Sequence, residues 1–399
     1  YMEETDETLL DFGNTEIAFS HKTDRELKNT YRLFKLMNNP SLVRIGSFFG
    51  KLAAQVPFHL MDPLIRETIF NQFCGGTNLL ECQRVVDRLY HKKTMTILDY
   101  GVEGREHDED FQNTLEVNLK ALEFAFSNPN IPVISTKLTG YIPIAVLEKI
   151  HAKESLSAFD QRAWERLEER FVILCNKAAE LGVGIFIDAE ESWIQDPIDQ
   201  LVDKYMPVFN KEKPIIYNTF QLYRKGRLDY LKSSFEAARQ GNYIFGAKIV
   251  RGAYMEKERK RAQDKGLEDP IMVDKLATDT QYNDAVRFCV QFPEQISLCN
   301  STHNWNSCLL QTELMAQAGI PNDHPHLNFC QLLGMSDNIT FNLAAKGYTV
   351  AKYVPYGPIK DVVPYLVRRA EENTSITGDM SRELKLLNQE MIRRGLKNS

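Results

Sequence analysis

From residue 95 to residue 357 the chain alternates short β-branched or apolar runs with longer helical stretches, eight times over. The runs are MTILDYG (95–101), PVISTKLTG (132–140), GVGIFIDAEE (182–191), KPIIYNTFQ (213–221), FGAKIVRGAY (245–254), EQISLCNSTHN (294–304), HLNFCQLLG (326–334) and TVAKYVPYG (349–357). The intervening segments, such as ERLEERFVILCNKAAEL and LDYLKSSFEAARQG, carry apolar residues at helical spacing. Strict β–α alternation of this kind predicts an α/β fold in which a parallel (β/α)8 barrel closes on itself. The repeat spans roughly 260 residues, close to the ~250 typical of that barrel. A doubly wound sheet is the rival architecture, and it needs a glycine-rich phosphate loop directly after a strand. The GVG at 182–184 precedes its strand, so the barrel is the better reading.

Upstream, DRELKNTYRLFKLM (24–37), NNPSLVRIGSFFGKLAAQ (38–55) and LLECQRVVDRLYHK (79–92) read as amphipathic helices. The second is entered through asparagine and proline. The expected division is a helical segment over 1–93 packed on a barrel with C-terminal helices over 94–399. A net charge of −6 with no long basic run argues against a nucleic-acid partner. The seven cysteines are scattered without a CxxC pair, which favours reduced thiols. No apolar run reaches bilayer length, and the acidic start YMEETDETLLDFG has no n-region or h-region of a targeting signal.

In such a barrel the reactive groups sit where each strand ends and its βα loop begins. Here those ends are polar: Asp99 and Glu103, Lys137, Asp188, Gln221, then Lys248, Arg251 and Tyr254, then Thr302, His303 and Asn304, then Gln331 and Leu332, and last Tyr353. A lone strand-end lysine is ordinarily a surface residue, and THN ordinarily caps a helix. A convergent ring of them calls for a ligand. Lys137, Lys248, Arg251, Arg368 and Arg369 outweigh the carboxylates, so that ligand is expected to be an anion and no metal is expected. The arginine pair lies in YLVRRAEEN (365–373), where Tyr365, Arg368, Arg369 and Glu372 share one helix face. That face is either solvated or a fork for a small carboxylate, a geometry lysine cannot copy.

Together VISTKLTG, FIDAEES, NTFQLYRK, AKIVRGAYMEKERKRAQ, STHN, FCQLLGM, KYVPYGP and PYLVRRAEEN resemble the proline dehydrogenases, in order and spacing, over nearly all of the barrel. The resemblance is to the compact monofunctional bacterial members. The chain lacks the insertion of animal members between the first two strands. The expectation is a form without the DNA-binding arm and aldehyde dehydrogenase domain of the multifunctional members. The resemblance implies FAD-dependent oxidation of L-proline to Δ1-pyrroline-5-carboxylate, the first step of proline catabolism, with hydride passing to flavin N5 and electrons onward to quinone. It implies a bacterial cytoplasmic enzyme touching the inner membrane peripherally, or the matrix side of the mitochondrial inner membrane if a presequence has been removed. Neither the sequence nor the resemblance sets an oligomeric state.

Residue by residue, the resemblance gives Arg368, Arg369 and Lys137 to the substrate carboxylate and its pocket, with Tyr254, Leu332, Tyr353 and Tyr365 as walls. It gives Asp188, Ala189, Gln221, Lys248, Val250, Arg251, Gly252, Ala253, Thr302, His303, Asn304 and Glu372 to the flavin side. Asp188 and Lys248 carry the catalytic roles. Lys248 stands where bacterial relatives often have arginine beside flavin N5, Arg251 where many have lysine, and Met255 where a tryptophan is common. Tyr353 would lie against the ring carbon that carries the hydroxyl of 4-hydroxyproline. The base that deprotonates the substrate ammonium stays open between Asp188, acting through a network, and water. Two readings from other classes are a Schiff-base lyase or aldolase using Lys137 or Lys248, and a non-catalytic barrel that serves as a binding module.

Overall fold

The computed structural model describes residues 10–38, 69–102, 105–372 and 379–397. Its centre is a closed, all-parallel barrel of eight strands in sequence order. The strands are β1 (Met95–Tyr100), β2 (Val133–Thr136), β3 (Gly184–Ile187), β4 (Ile216–Gln221), β5 (Phe245–Val250), β6 (Ile296–Ser301), β7 (Leu327–Leu332) and β8 (Val350–Tyr356). Each falls inside one of the eight runs read from the sequence. The strands are shorter than the runs because the polar residues at their ends leave the ladder. After Thr136, for example, Leu138–Gly140 coils into a short 3₁₀ turn. The helix expected over 38–55 lies outside the described residues, apart from Asn38, which ends the helix Asp24–Met37.

Alternation along each strand sorts the side chains into two layers. Ile97, Val133, Phe186, Tyr217, Cys299, Cys330, Ala351 and Tyr353 form one cluster inside the barrel. Leu98, Ile134, Ile185, Ile216, Phe220 and Ile249 belong to the larger core beneath the surrounding helices. The longest helix, Ala158–Leu181, opens on a capping box between Ser157 and Asp160. It ends at Gly182, whose φ of +67° is the left-handed turn that delivers the chain into β3.

Outside the barrel, Phe34, Phe73, Val362, Leu366, Leu386, Leu387 and Met391 share a second cluster. This cluster seats the helix Ile359–Glu372 beside the barrel and packs the helix Asp379–Arg393 against Asp24–Met37. The C-terminal leucines are therefore core residues. Lys352, buried on the outer face of β8, pairs with Asp337 at 3.0 Å and donates to the carbonyls of Met335 and Leu332. Asp337 also holds His21 at 3.4 Å, which ties the N-terminal arm to the turn after β7. All seven cysteines are buried free thiols. No described helix is long and apolar enough to cross a membrane.

Candidate active site

At the C-terminal end of the barrel opens a cavity of about 680 Å³. Its lining includes Lys137, Asp188, Ala189, Gln221, Lys248, Val250, Arg251, Gly252, Ala253, Tyr254, Thr302, His303, Asn304, Leu332, Tyr353, Tyr365, Arg368 and Arg369. The residues that the resemblance assigned are thus brought to one place, apart from Glu372, whose side chain lies outside the described residues, as does Glu103. Of the other strand ends Asp99 lines the cavity, whereas the Gln331 amide is buried off it, donating to the Thr302 carbonyl and accepting from the Thr340 hydroxyl.

The floor is built around Asp188. Its Oδ2 accepts from Lys137 Nζ at 2.7 Å and from the Tyr353 hydroxyl at 2.7 Å. Its Oδ1 accepts from Lys248 Nζ at 2.8 Å and from Ser135 Oγ at 2.8 Å. Burial pushes this carboxyl up, but the two ammonium groups more than offset it and hold it well below the usual carboxylate range. A carboxylate saturated in this way takes up no proton near neutrality. Of the two proton acceptors left open by the sequence, this geometry removes Asp188. Lys248 also stands over the rings of Tyr353 and Phe186, at 4.8 and 5.3 Å from their centroids.

One side wall is a set of mutual locks. The Gln221 amide donates to the carbonyl of Glu190 at 2.8 Å and accepts from Ala253 N at 3.3 Å. It thereby fixes the turn after β5 against the loop after β3. In that turn Gly252 has a φ of +144°, and a Cβ there would lie 2.4 Å from the Tyr223 ring. Arg251 donates to Asp279, Thr302 and Ser307, at 2.8, 2.7 and 3.0 Å, and lies over the Tyr282 ring. Asn304 caps the helix Trp305–Gln317 by accepting from Ser307 N, so the capping role of the THN triplet and its place in the cavity coexist.

His303 is half-buried, and desolvation of its ring pushes its imidazole down to about 3. Its Nε2 accepts from Leu332 N at 3.4 Å, which assigns the proton to Nδ1 and makes Nδ1 the donor to Ser336 Oγ at 2.7 Å. Both nitrogens are engaged. From the side, the helix Ile359–Glu372 contributes Tyr365, Arg368 and Arg369. Arg369 is 8% exposed with its guanidinium 5.0 Å from the Tyr365 ring centroid, so this member of the pair is not on a solvated face, while Arg368 is half-buried at the cavity.

Other lining residues include Asp99, a polar strand end to which the resemblance assigns no role, and Thr219, Lys275 and Arg382, which the sequence did not single out. Thr219 stands two residues before Gln221 on β4, and that period was a signal for it. Its Oγ1 is buried without a hydrogen-bond partner among the described residues, in the cavity lining. Lys275 and Arg382 come from helices whose approach to the barrel mouth leaves no mark in local sequence. Among the described residues no cluster of three His, Cys, Asp or Glu could hold a metal ion.

The family described as proline dehydrogenase matches residues 82–382. "Proline dehydrogenase 1, mitochondrial" of Dictyostelium discoideum is 31% identical over 96% of this chain and 75% of its own length. The "Carbapenem antibiotics biosynthesis protein CarD" of Pectobacterium carotovorum is 33% identical over 94% of this chain and 96% of its own. Among solved structures, proline utilization A of Bdellovibrio bacteriovorus shares the fold with a TM-score of 0.72 at 19% identity. That match covers 93% of this chain, which spans 40% of the longer protein. The family match across the whole barrel, with a relative alike along most of both lengths, makes this chain a member of the proline dehydrogenase family.

Proposed function

We propose that this protein oxidises L-proline to Δ1-pyrroline-5-carboxylate with FAD as its acceptor and passes the electrons to a quinone. The observation that carries the reading is the arginine pair, one member of it buried, set beside an aromatic wall over a cation-rich floor. Arg368 and Arg369 take the substrate carboxylate, in a site where charge pairing strengthens as water leaves. Tyr254, Leu332, Tyr353 and Tyr365 confine the ring and orient it. Lys137 and Lys248, fixed by Asp188, keep the floor positive without reorganising during reaction.

The site fits FAD. The cavity is much larger than a five-membered amino acid fills, yet within the ~300–1,000 Å³ of ligand sites. The buried Thr219 hydroxyl in its lining has no hydrogen-bond partner among the described residues. The turn bearing Gly252 and Ala253 lets backbone approach closely, and Arg251, Lys275 and Arg382 would face a bound diphosphate. Residues 188–189, 221, 248, 250–253 and 302–304 would hold the group, which when bound supplies a two-electron acceptor for the substrate C–H.

The Schiff-base reading loses its nucleophile. Both lysine ammonium groups are tied to Asp188, at 2.7 and 2.8 Å, and neither is free to add to a carbonyl. The expected compartment is the bacterial cytoplasm, with peripheral contact at the inner membrane where quinone is met. The mitochondrial name of the Dictyostelium relative favours the matrix side as the second reading. The test is the visible spectrum of the purified protein. A yellow protein bleached anaerobically by L-proline is expected, and failure to extract or restore FAD in folded protein overturns the reading.

A further inference from the structure

Proline binds as a secondary ammonium, and that nitrogen must lose a proton before its lone pair can form the imine. The described lining of the cavity contains few groups able to receive it. Asp188 is saturated by four donors. The amines of Lys137 and Lys248 are held in ion pairs with Asp188. Both nitrogens of His303 are engaged, one by Ser336 and one by Leu332 N. The Tyr353 phenol donates to Asp188.

Asp99 is the other carboxylate in that lining. It stands near the end of β1, in register with Ser135, at 6% exposure, and among the described residues it forms no ion pair. The titratable groups facing it are Lys137 after β2, Asp188 after β3, Lys248 on β5 and Tyr353 on β8, with Cys74 and Tyr356 beyond. We propose that Asp99 is the proton acceptor for the bound secondary ammonium, a role that rests on the proline-oxidation reading above. In the step, one N–H bond of the ammonium breaks and an O–H bond forms on Asp99. The electron pair stays on nitrogen as the lone pair that later becomes the C=N π bond, and no electrons change hands.

The electrostatics agree with the geometry. Burial pushes the Asp99 carboxyl up, Lys137 draws it down, Asp188 raises it again, and the balance lies at about 6. Such a group is anionic at neutral pH and more basic than an exposed aspartate, which suits a general base.

The test uses the FAD-loaded protein, mixed anaerobically with L-proline from pH 5 to pH 10, for wild type, Asp99→Asn and Asp99→Glu. The second-order rate of flavin bleaching in the wild type should rise through an apparent pKa near 6. Asp99→Asn should be slower by about 100-fold or more at pH 7. Its rate should then climb about tenfold per pH unit as the neutral amine form of proline takes over the binding. Asp99→Glu should keep the acid limb. Binding of a five-membered ring carboxylate with oxygen in place of nitrogen, which has no proton to give, should be unchanged in both variants. The thermal midpoint of Asp99→Asn should exceed that of the wild type at pH 8 and match it at pH 4, because a buried charge has been removed.

A wild-type rate and pH profile in Asp99→Asn overturns the proposal. So does an equal loss at every pH joined to weaker binding of the oxygen analogue, which marks a packing role. Should Asp99→Asn fail to fold, a wild-type profile without a limb near pH 6 overturns it, and a limb that moves in Asp99→Glu upholds it. A wild-type flavin that L-proline bleaches at no pH sinks the substrate reading and this proposal together. That result differs from failure of Asp99 alone, in which the wild type still bleaches.

Discussion

Lys248 Nζ and Asp188 Oδ1 lie 2.8 Å apart at the barrel floor, each residue 5% exposed. Two ions at this depth have lost their water, and neither is tolerable without the other. Replacing Lys248 by Met should destabilise the protein by about 3–5 kcal/mol, toward the lower end because Lys137 still compensates Asp188. Adding Asp188→Asn should recover much of that loss. Denaturant unfolding at pH 7 of the two single variants and the double variant measures it. A Lys248→Met variant within about 0.5 kcal/mol of wild type would mean that the pair is solvated.

The arginine helix makes a prediction about binding. Arg368→Met or Arg369→Met should weaken proline binding by about 2–5 kcal/mol, read as KM, while FAD stays bound. Arg369 should cost more than Arg368, since it is the more buried of the two. Unchanged KM in both variants would return the pair to a surface role.

Tyr353 concerns substrate choice. Its hydroxyl is committed to Asp188 at 2.7 Å and lies 3.1 Å from Ser135 Oγ, leaving little capacity to satisfy a hydroxyl on the substrate ring. A polar atom pressed against that ring would lose water without recovering a hydrogen bond. Proline should therefore be preferred to trans-4-hydroxyproline, and Tyr353→Ser should narrow the gap chiefly by weakening proline. The values of kcat/KM for both substrates on both proteins decide it, and equal use by the wild type would remove Tyr353 as the discriminator.

His303 sets a stability window. Burial lowers its folded-state value to about 3, against an ordinary value of 6.5. Between those values the unfolded chain binds a proton that the folded one refuses. Stability therefore falls as pH drops through the window, by up to about 1.4 kcal/mol per unit. His303→Asn should lose less stability between pH 7 and pH 4.5 than the wild type does. Parallel pH slopes for the two proteins would show that the imidazole is protonated in place.

The eight strands, their order and the polar character of their ends were legible in the sequence. Period-two alternation and β–α punctuation are local, and parallel strands joined by helices have few ways to close. The same alternation could have pointed to Thr219, two residues before Gln221 on one strand face. Motif order over the barrel also carried the family. The sequence could not say how the charges divide. Asp99, Lys137, Asp188 and Lys248 lie on four different strands or their loops, and nothing local tells which carboxylate receives the lysines. Barrel closure decided it by turning Ser135, Tyr353 and both lysines onto Asp188 and leaving Asp99 without an ion pair among the described residues. Burial raises both carboxyls, but the two lysines that reach Asp188 carry it down while Asp99 stays raised, because a buried ion's proton affinity depends on which partners reach it.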